Sequence, residues 1–226
     1  MEDAGIYNDS GEADRAIARI LAGEIDRRVA ARGVAVLIFD GAPALAGSYR
    51  LLSEADLPWT RVIGFQLAEW CGVGEDDPRS GRRMLLDSLV CRVAMAEFHG
   101  LRGEAANLAA VSVNYGELLA ARSSIVAPLS PLAIVTVGMD GQIGSPPLPM
   151  PVKSTVQMAE FSTGQRRLDE VVVGAESIGL TRQALHNYDR LILQRGPVTS
   201  RITLKRGGED DENPGRGARP RDTSHP

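Results

Sequence analysis

The stretch GMDGQIGSPPLP, Gly138 to Pro149, carries the residues of this chain best suited to chemistry. The apolar run LAIVTV, Leu132 to Val137, leads into it and reads as a buried strand. A turn at the carboxyl end of such a strand is where an open α/β sheet places ligands. Gly138 and Gly141 are therefore candidate ligand-binding positions. Asp140 supplies one carboxylate, a group able to move a proton. Gln142 donates and accepts hydrogen bonds but has no proton to exchange near neutral pH. A second turn, Asp40-Gly41-Ala42-Pro43, follows the run GVAVLIF (Gly33 to Phe39) in the same way. Its plain reading is a strand-to-helix turn with Asp40 as a cap.

Other chemistries lack their residues. The histidines are His99, His186 and His225, and none neighbours an Asp, Glu or Cys set at ligand spacing. No metal and no cofactor is expected. The sequence holds no Gly-x-Ser-x-Gly elbow, no Walker loop and no Gly-x-Gly-x-x-Gly fingerprint. A net charge of −4 gives nucleic-acid binding no support. Cys71 and Cys91 form neither a metal spacing nor a disulfide framework, and fit buried thiols in a reducing cytoplasm. The acidic, polar start MEDAGIYNDSGEADRA is unlike a secretory signal. No apolar run approaches the roughly 20 residues that span a bilayer, so no membrane role is expected. Trp59 and Trp70, flanking a strand, read as core rather than as ligand platforms.

The elements that must position these turns follow from periodicity. The chain has 226 residues, 43% of them hydrophobic, enough for one sizeable core. Residues 12–31 carry apolar groups at helical spacing, with Ser10 as a candidate cap. GVAVLIF, WTRVIGFQL (Trp59 to Leu67) and LAIVTV read as strands. Helices are expected around Ala44 to Leu52, in RSGRRMLLDSLV with Asp77 or Pro78 opening it, and in NYGELLAARSSI. Residues 91–112 leave the choice open. Farther on, EVVVGAES and RLILQ are strand-like, GLTRQALHNYD is helical and GPVTSRITL ends the ordered chain. The expected organisation is a flexible terminus over 1–11, one α/β domain over 12–204 and a disordered polar tail over 205–226. Strands alternating with helices imply a mostly parallel sheet covered on both faces.

Four stretches, in order, resemble the superfamily of glucosamine-6-phosphate deaminases/isomerases and 6-phosphogluconolactonases. They are VLIFDGAPALAGSYRLL, WTRVIGFQLAEWCGVGEDDPRSGRRMLLDSLVCRV, LAIVTVGMDGQIGSPPLP and SIGLTRQALHNYDRLILQRGPVTS. The second, with its GEDDPRS turn, is most similar to the deaminase branch. The resemblance implies a Rossmann-like, three-layer α/β/α sandwich with its site at the carboxyl ends of the strands.

It also implies roles, position by position. In the family the first turn holds a sugar phosphate with backbone N–H groups and a hydroxyl. Here it offers Asp40, Gly41 and Ala42, with a carboxylate in place of the hydroxyl. The deaminases' proton-moving carboxylate falls on Ala68. Glu69, next to it, is a candidate substitute base or a structural hydrogen-bonder. The family's Asp-Gly-His is Asp140-Gly141-Gln142 here, and the downstream acid falls at about Pro147. Losing a general acid–base group costs roughly 10²- to 10⁴-fold. The family's phosphate lysine falls on Thr199, and Arg195 and Arg201 flank it as alternative cations or as surface charge. Arg166 or Arg167 stands where an upstream phosphate arginine is expected. Family members continue for a further helix and strand where this chain turns polar. That part of the sheet is then absent or supplied by a partner, whether a second copy or another protein.

The expected ligand is a sugar or sugar-like molecule, not an ordinary hexose 6-phosphate. Asp140, with Glu69 or Asp40, is the candidate acid–base group, and Gln142 orients the ligand. Asp40, Gly41, Ala42, Gly138, Gly141, Thr199 and Arg201 are the candidate binding positions. The competing expectation is a non-catalytic relative that serves as a binding, regulatory or assembly partner. Unaltered deaminase or lactonase activity ranks behind both.

Overall fold

The computed structural model describes residues 3–137, 177–180, 182–196 and 198–207. The chain opens on an edge strand, β1 (Asp3–Tyr7), and enters a long helix, α1 (Ser10–Arg32). Asp9 caps this helix rather than Ser10: its carboxylate accepts from Gly11 N at 2.8 Å. A carboxylate suits the positive end of a helix better than a neutral hydroxyl does. The helix stops at Gly33, whose φ of 73° is the left-handed conformation glycine adopts without strain.

The following elements are β2 (Ala35–Phe39), α2 (Ala46–Ser53), β3 (Val62–Gln66), the short β4 (Ala68–Trp70) and α3 (Gly81–Ser88). Then come β5 (Glu97–His99), α4 (Leu108–Ile125) and β6 (Leu132–Val137). Farther along lie β7 (Ser177–Gly179), α5 (Arg182–Leu185), β8 (Asp189–Arg195) and β9 (Ser200–Lys205). The main sheet among the described residues has the order β1-β9-β8-β6-β2-β3-β5. From β8 to β5 the neighbours are parallel, and β9 runs antiparallel to both β8 and β1. β4 pairs with β7 in a separate two-stranded ribbon.

Alternation along the strands divides the core into two layers. Ala35, Leu37 and Phe39 of β2 face α1, α2 and α3, packing with Leu21, Tyr49 and Leu85. Val36 and Ile38 face the other way, toward Tyr115 and Leu119 of α4 and Ile178 of β7. A strand buried on both faces is what a continuous apolar run requires. The expected three-layer α/β sandwich is the observed one.

Several boundaries differ from the sequence expectation. The N-terminus expected to be flexible contributes β1, whose Ile6 and Tyr7 sit opposite Arg201 and Ser200 of β9. The chain past residue 204 is held as well, through Lys205 in β9 and the ion pairs of Arg206. β1 finds its partner β9, and Arg206 one of its two carboxylates, Glu24, at the opposite end of the sequence, where no local pattern reports them. Residues 208–226 of the expected tail lie outside the described residues. Ser80, not Asp77 or Pro78, caps α3 by accepting from Arg83 N at 3.1 Å. The helix expected in GLTRQALHNYD is confined to α5, because turns at Asn187 and Tyr188 lead the chain into β8. Cys91, expected buried, is exposed, whereas Cys71 is in the core.

An ion network ties the amino end of the sheet together. Arg28 of α1 is 2% exposed and pairs with Asp189 of β8 and, at 3.4 Å, with Glu24. It also donates to the Ser130 carbonyl just before β6. Arg206 bridges Glu24 at 3.0 Å and Asp189 at 3.3 Å, and Gly207 N donates to Asp189 at 2.9 Å. Burial pushes the Glu24 carboxyl up, but hydrogen bonds and charge from Arg206 and Arg27 outweigh it and hold it at about 2.

Removing Arg28 takes away the buried member of the network and leaves Glu24 and Asp189 to the more exposed Arg206 and, for Glu24, Arg27. Arg28→Ala is expected to lose about 1–3 kcal/mol through the lost charged hydrogen bonds, read as a lower urea midpoint at unchanged slope. Glu24 has a depressed folded value, so its stabilisation is complete above its ordinary 4.5 and is lost as pH falls through about 2. Glu24→Gln is expected to flatten that acid limb of a stability-versus-pH curve.

Candidate functional site

The sheet reverses direction at β2. From β2 the chain adds β3 and then β5 on one side, and later places β6 on the other. Such a reversal opens a crevice outside the carboxyl ends of the strands. β2 and β6 pair only through Leu37–Leu132 and Ile38–Ala133 and then separate. The carbonyl of Phe39 accepts instead from Leu67 N on the β3 side, at 2.7 Å.

Asp40 fills the gap. One carboxylate oxygen accepts from Thr136 N at 2.9 Å and Thr136 Oγ1 at 2.5 Å. The other accepts from Ala42 N at 3.1 Å. The backbone carbonyl of Asp40 accepts from the Tyr49 hydroxyl at 2.9 Å. Asp40 is 5% exposed, and burial pushes its carboxyl up against the opposing hydrogen bonds from Thr136 and Ala42. The side chain expected at the edge of a binding turn is thus turned inward. It bridges the two strands that border the crevice.

Gly41 lies against the start of α3. A Cβ there would come within 2.6 Å of Gly81 Cα, so the close approach of two backbones requires glycine. Glu69 organises the same helix start. Its carboxylate accepts from Trp70 N at 2.8 Å, Ser80 Oγ at 2.8 Å, Gly81 N at 3.1 Å and Arg82 N at 2.8 Å. It also accepts from Gln66 Nε2 at 3.1 Å. Glu69 is 2% exposed. This geometry is that of the structural hydrogen-bonder, because the carboxylate has no oxygen turned toward a ligand's proton. Ala68 is half-buried and faces Gly179 across the β4–β7 ribbon. Gln66 locks the segment from beneath, donating to Ala68 O at 2.7 Å and accepting from Leu101 N at 2.8 Å.

The β8–β9 hairpin closes the third side. Gly196 N donates to Thr199 O at 2.8 Å, which leaves Thr199 half-buried at the turn, and Arg201 is exposed on β9 opposite Gln194. Arg195 is the hairpin residue that reaches the β2 turn. It donates to Ala44 O at 3.4 Å and stands 3.9 Å from an oxygen of Asp14, which accepts from Ser48 Oγ at 2.7 Å. Thr136, Asp14 and Ser48 carry no local signal of a site, because each acquires its partner only through the tertiary fold.

Gly138, Asp140, Gly141, Gln142 and Pro147, with Arg166 and Arg167, lie outside the described residues. β6 leads toward them and ends at Val137, beside Gln194 of β8. His99 sits on the edge strand β5, 2.8 Å from Glu97, whose carboxylate Arg122 grips at 3.0 Å. Among the described residues no group of three His, Cys, Asp or Glu side chains converges on a metal position. No described helix is long and apolar enough to cross a membrane.

These contacts make the crevice walls sensitive to single substitutions. Asp40→Ala orphans the buried N–H groups of Ala42 and Thr136 and is expected to cost about 1–3 kcal/mol for each. Gly41→Ala is expected to cost about 1–3 kcal/mol through overpacking against Gly81. Denaturant titration of the two variants measures both losses.

No protein-family model matches the sequence, and no curated protein matches it at a significant level. Solved structures do match. A 6-phosphogluconolactonase from Shewanella baltica is 21% identical over 82% of this chain and 78% of its own, with a TM-score of 0.63. A 6-phosphogluconolactonase from Thermotoga maritima is 18% identical over 81% of this chain and 80% of its own, also with a TM-score of 0.63. A monomeric glucosamine-6-phosphate deaminase is 18% identical over 82% of this chain and 78% of its own, with a TM-score of 0.60. At these identities the likeness is one of fold, and it is the fold that the four sequence stretches imply. The chain has the fold shared by 6-phosphogluconolactonases and a glucosamine-6-phosphate deaminase.

Proposed function

We propose that this chain is a diverged member of the sugar-phosphate deaminase and lactonase superfamily that binds a sugar or sugar-derived ligand, with altered chemistry. The observation that supports the reading is the sheet reversal at β2, where the Asp40 turn touches the α3 start held by Glu69 and is reached by Arg195 of the β8–β9 hairpin. Solved relatives of the same fold act on such sugars by name, as lactonases and a deaminase. In this reading Asp140 is the acid–base group and Gln142 orients the ligand through its amide. Thr199 and Arg201 line the hairpin side, Gly138 and Gly141 shape the loop after β6, and Gly41 and Ala42 form the opposite wall. Asp40 contributes by holding the crevice walls. The free thiols of Cys71 and Cys91 accord with a cytoplasmic setting.

A specific observation favours a second reading, a non-catalytic binding member. The side chain at 68 is a methyl group, and the neighbouring carboxylate of Glu69 is spent on five internal donors. Neither can take the proton that a deaminase moves.

Calorimetric titration with amino-sugars, sugar lactones and their phosphates tests the common core of both readings. Binding of one such compound is expected, and weakening of that binding in Asp140→Asn and Gln142→Ala. No binding and no turnover for any of them would sink the reading. Coupled assays of the combined variant Ala68→Asp, Gln142→His and Pro147→Glu separate the two. Recovered isomerase activity marks a pocket stripped only of its groups, and a folded but inert protein favours deeper divergence.

A further inference from the structure

We propose that Asp40 is a proton-sensitive clasp at the split between β2 and β6: when it takes up a proton, it keeps its hold on β6 and releases the turn that follows β2. This goes beyond the reading above and holds whichever ligand the crevice takes. The split is a defined place. β2 pairs with β3 along its whole length, Ala35 to Phe39, but with β6 only through Leu37 and Ile38. Past that point Thr136 stays in register with Leu193 of β8, while its N–H and hydroxyl turn to Asp40. One buried side chain stands in for the missing rungs between the two strands.

Three donors converge on its two oxygens. Oδ2 accepts from Thr136 N at 2.9 Å and Thr136 Oγ1 at 2.5 Å, and Oδ1 accepts from Ala42 N at 3.1 Å. A proton on Oδ2 competes with both Thr136 donors. The Thr136 hydroxyl can turn and accept it, but the N–H beside it cannot. A proton on Oδ1 competes only with Ala42 N–H, so Oδ1 is the oxygen that takes it. The carbonyl oxygen Oδ2 then keeps both Thr136 bonds. The Oδ1 hydroxyl is a poorer acceptor than a carboxylate oxygen, and the bond that folds the turn back on Asp40 weakens. Burial pushes this carboxyl up, and the bonds from Thr136 and Ala42 oppose it. Each element packed on the turn brings titratable or charged groups toward it. Tyr49 of α2 donates to Asp40 O, and burial with the Asp40 charge holds its hydroxyl well above its ordinary value, so it stays neutral. Glu69 and Arg82 stand at the α3 start, on which Gly41 packs. Asp14 and Arg195 stand farther along the turn, beside Ser48 and Ala44.

The sign of the linkage separates a local release from acid unfolding. The folded value of Asp40 is the raised one. Its contribution to stability is therefore complete below its ordinary 3.8 and is lost as pH rises through the folded value. Acid loosens the turn while Asp40 itself favours the fold. NMR of the isotope-labelled full chain from about pH 4 to about pH 9 tests this. The Asp40 Cγ signal is expected to titrate above 3.8, and the Ala42 amide to shift with the same midpoint. Protection of the Ala42 amide from exchange is expected to fall roughly tenfold in the protonated form, and that of Thr136 to hold. Thr136→Val removes a bond that lowers the Asp40 value, so its midpoint is expected higher still, with Ala42 following it. Asp40→Asn carries one acceptor and one donor, as the protonated acid does, and is expected to leave Ala42 weakly protected across the whole range. An Asp40 signal that does not titrate, an Ala42 amide indifferent to it, or a Thr136 amide released with it or in its place overturns the proposal. The titration of the parent chain decides this even if Asp40→Asn fails to fold.

Discussion

The carboxylate of Asp40 is the contact on which the crevice depends. β2 and β6 stop pairing after Ile38 and Ala133, and the backbone donors beyond that point need an acceptor. Asp40 provides it for Thr136 and closes its own turn onto Ala42. Buried N–H groups without acceptors are costly, so a short side chain that satisfies two of them at once holds two strands at a defined separation. Thr136, next to the last residue of β6, is fixed by this contact.

The neighbouring wall uses the same physics with a different acceptor. Glu69 receives the first donors of α3, and Gln66 secures the strand end beneath it. Gly41 and Gly81 let the β2 turn and the α3 start approach to backbone contact. The amino end of the sheet is held instead by charge, through Arg28, Arg206, Glu24 and Asp189. The rigid end carries the buried ion pairs. The carboxyl end carries neutral donors folded onto the carboxylates of Asp40 and Glu69.

Carboxylates in a site are commonly read as acids or bases, and here two of the strongest candidates do other work. Asp40 and Glu69 are saturated by hydrogen bonds from the main chain and from Thr136, Ser80 and Gln66. A carboxylate whose oxygens are taken up by internal donors serves as a brace between the segments that carry them. The fold shared with lactonases and a deaminase thus persists while the chemistry at its edge is open to change, since function resides in the site rather than in the scaffold.

The sequence by itself determined the architecture. Runs such as GVAVLIF and LAIVTV are apolar on both faces and flanked by turn residues, which strands buried between two helical layers satisfy. It did not reveal β1 or the pairing of Arg206 with Glu24, because those partners lie at the other end of the chain. Nor did it distinguish a carboxylate that faces a ligand from one that faces a strand. Residue type and spacing report which groups are available. Only the tertiary fold decided where each oxygen points, because that depends on which unsatisfied donors the packing brings within 3 Å of it: Thr136 for Asp40 and the first turn of α3 for Glu69.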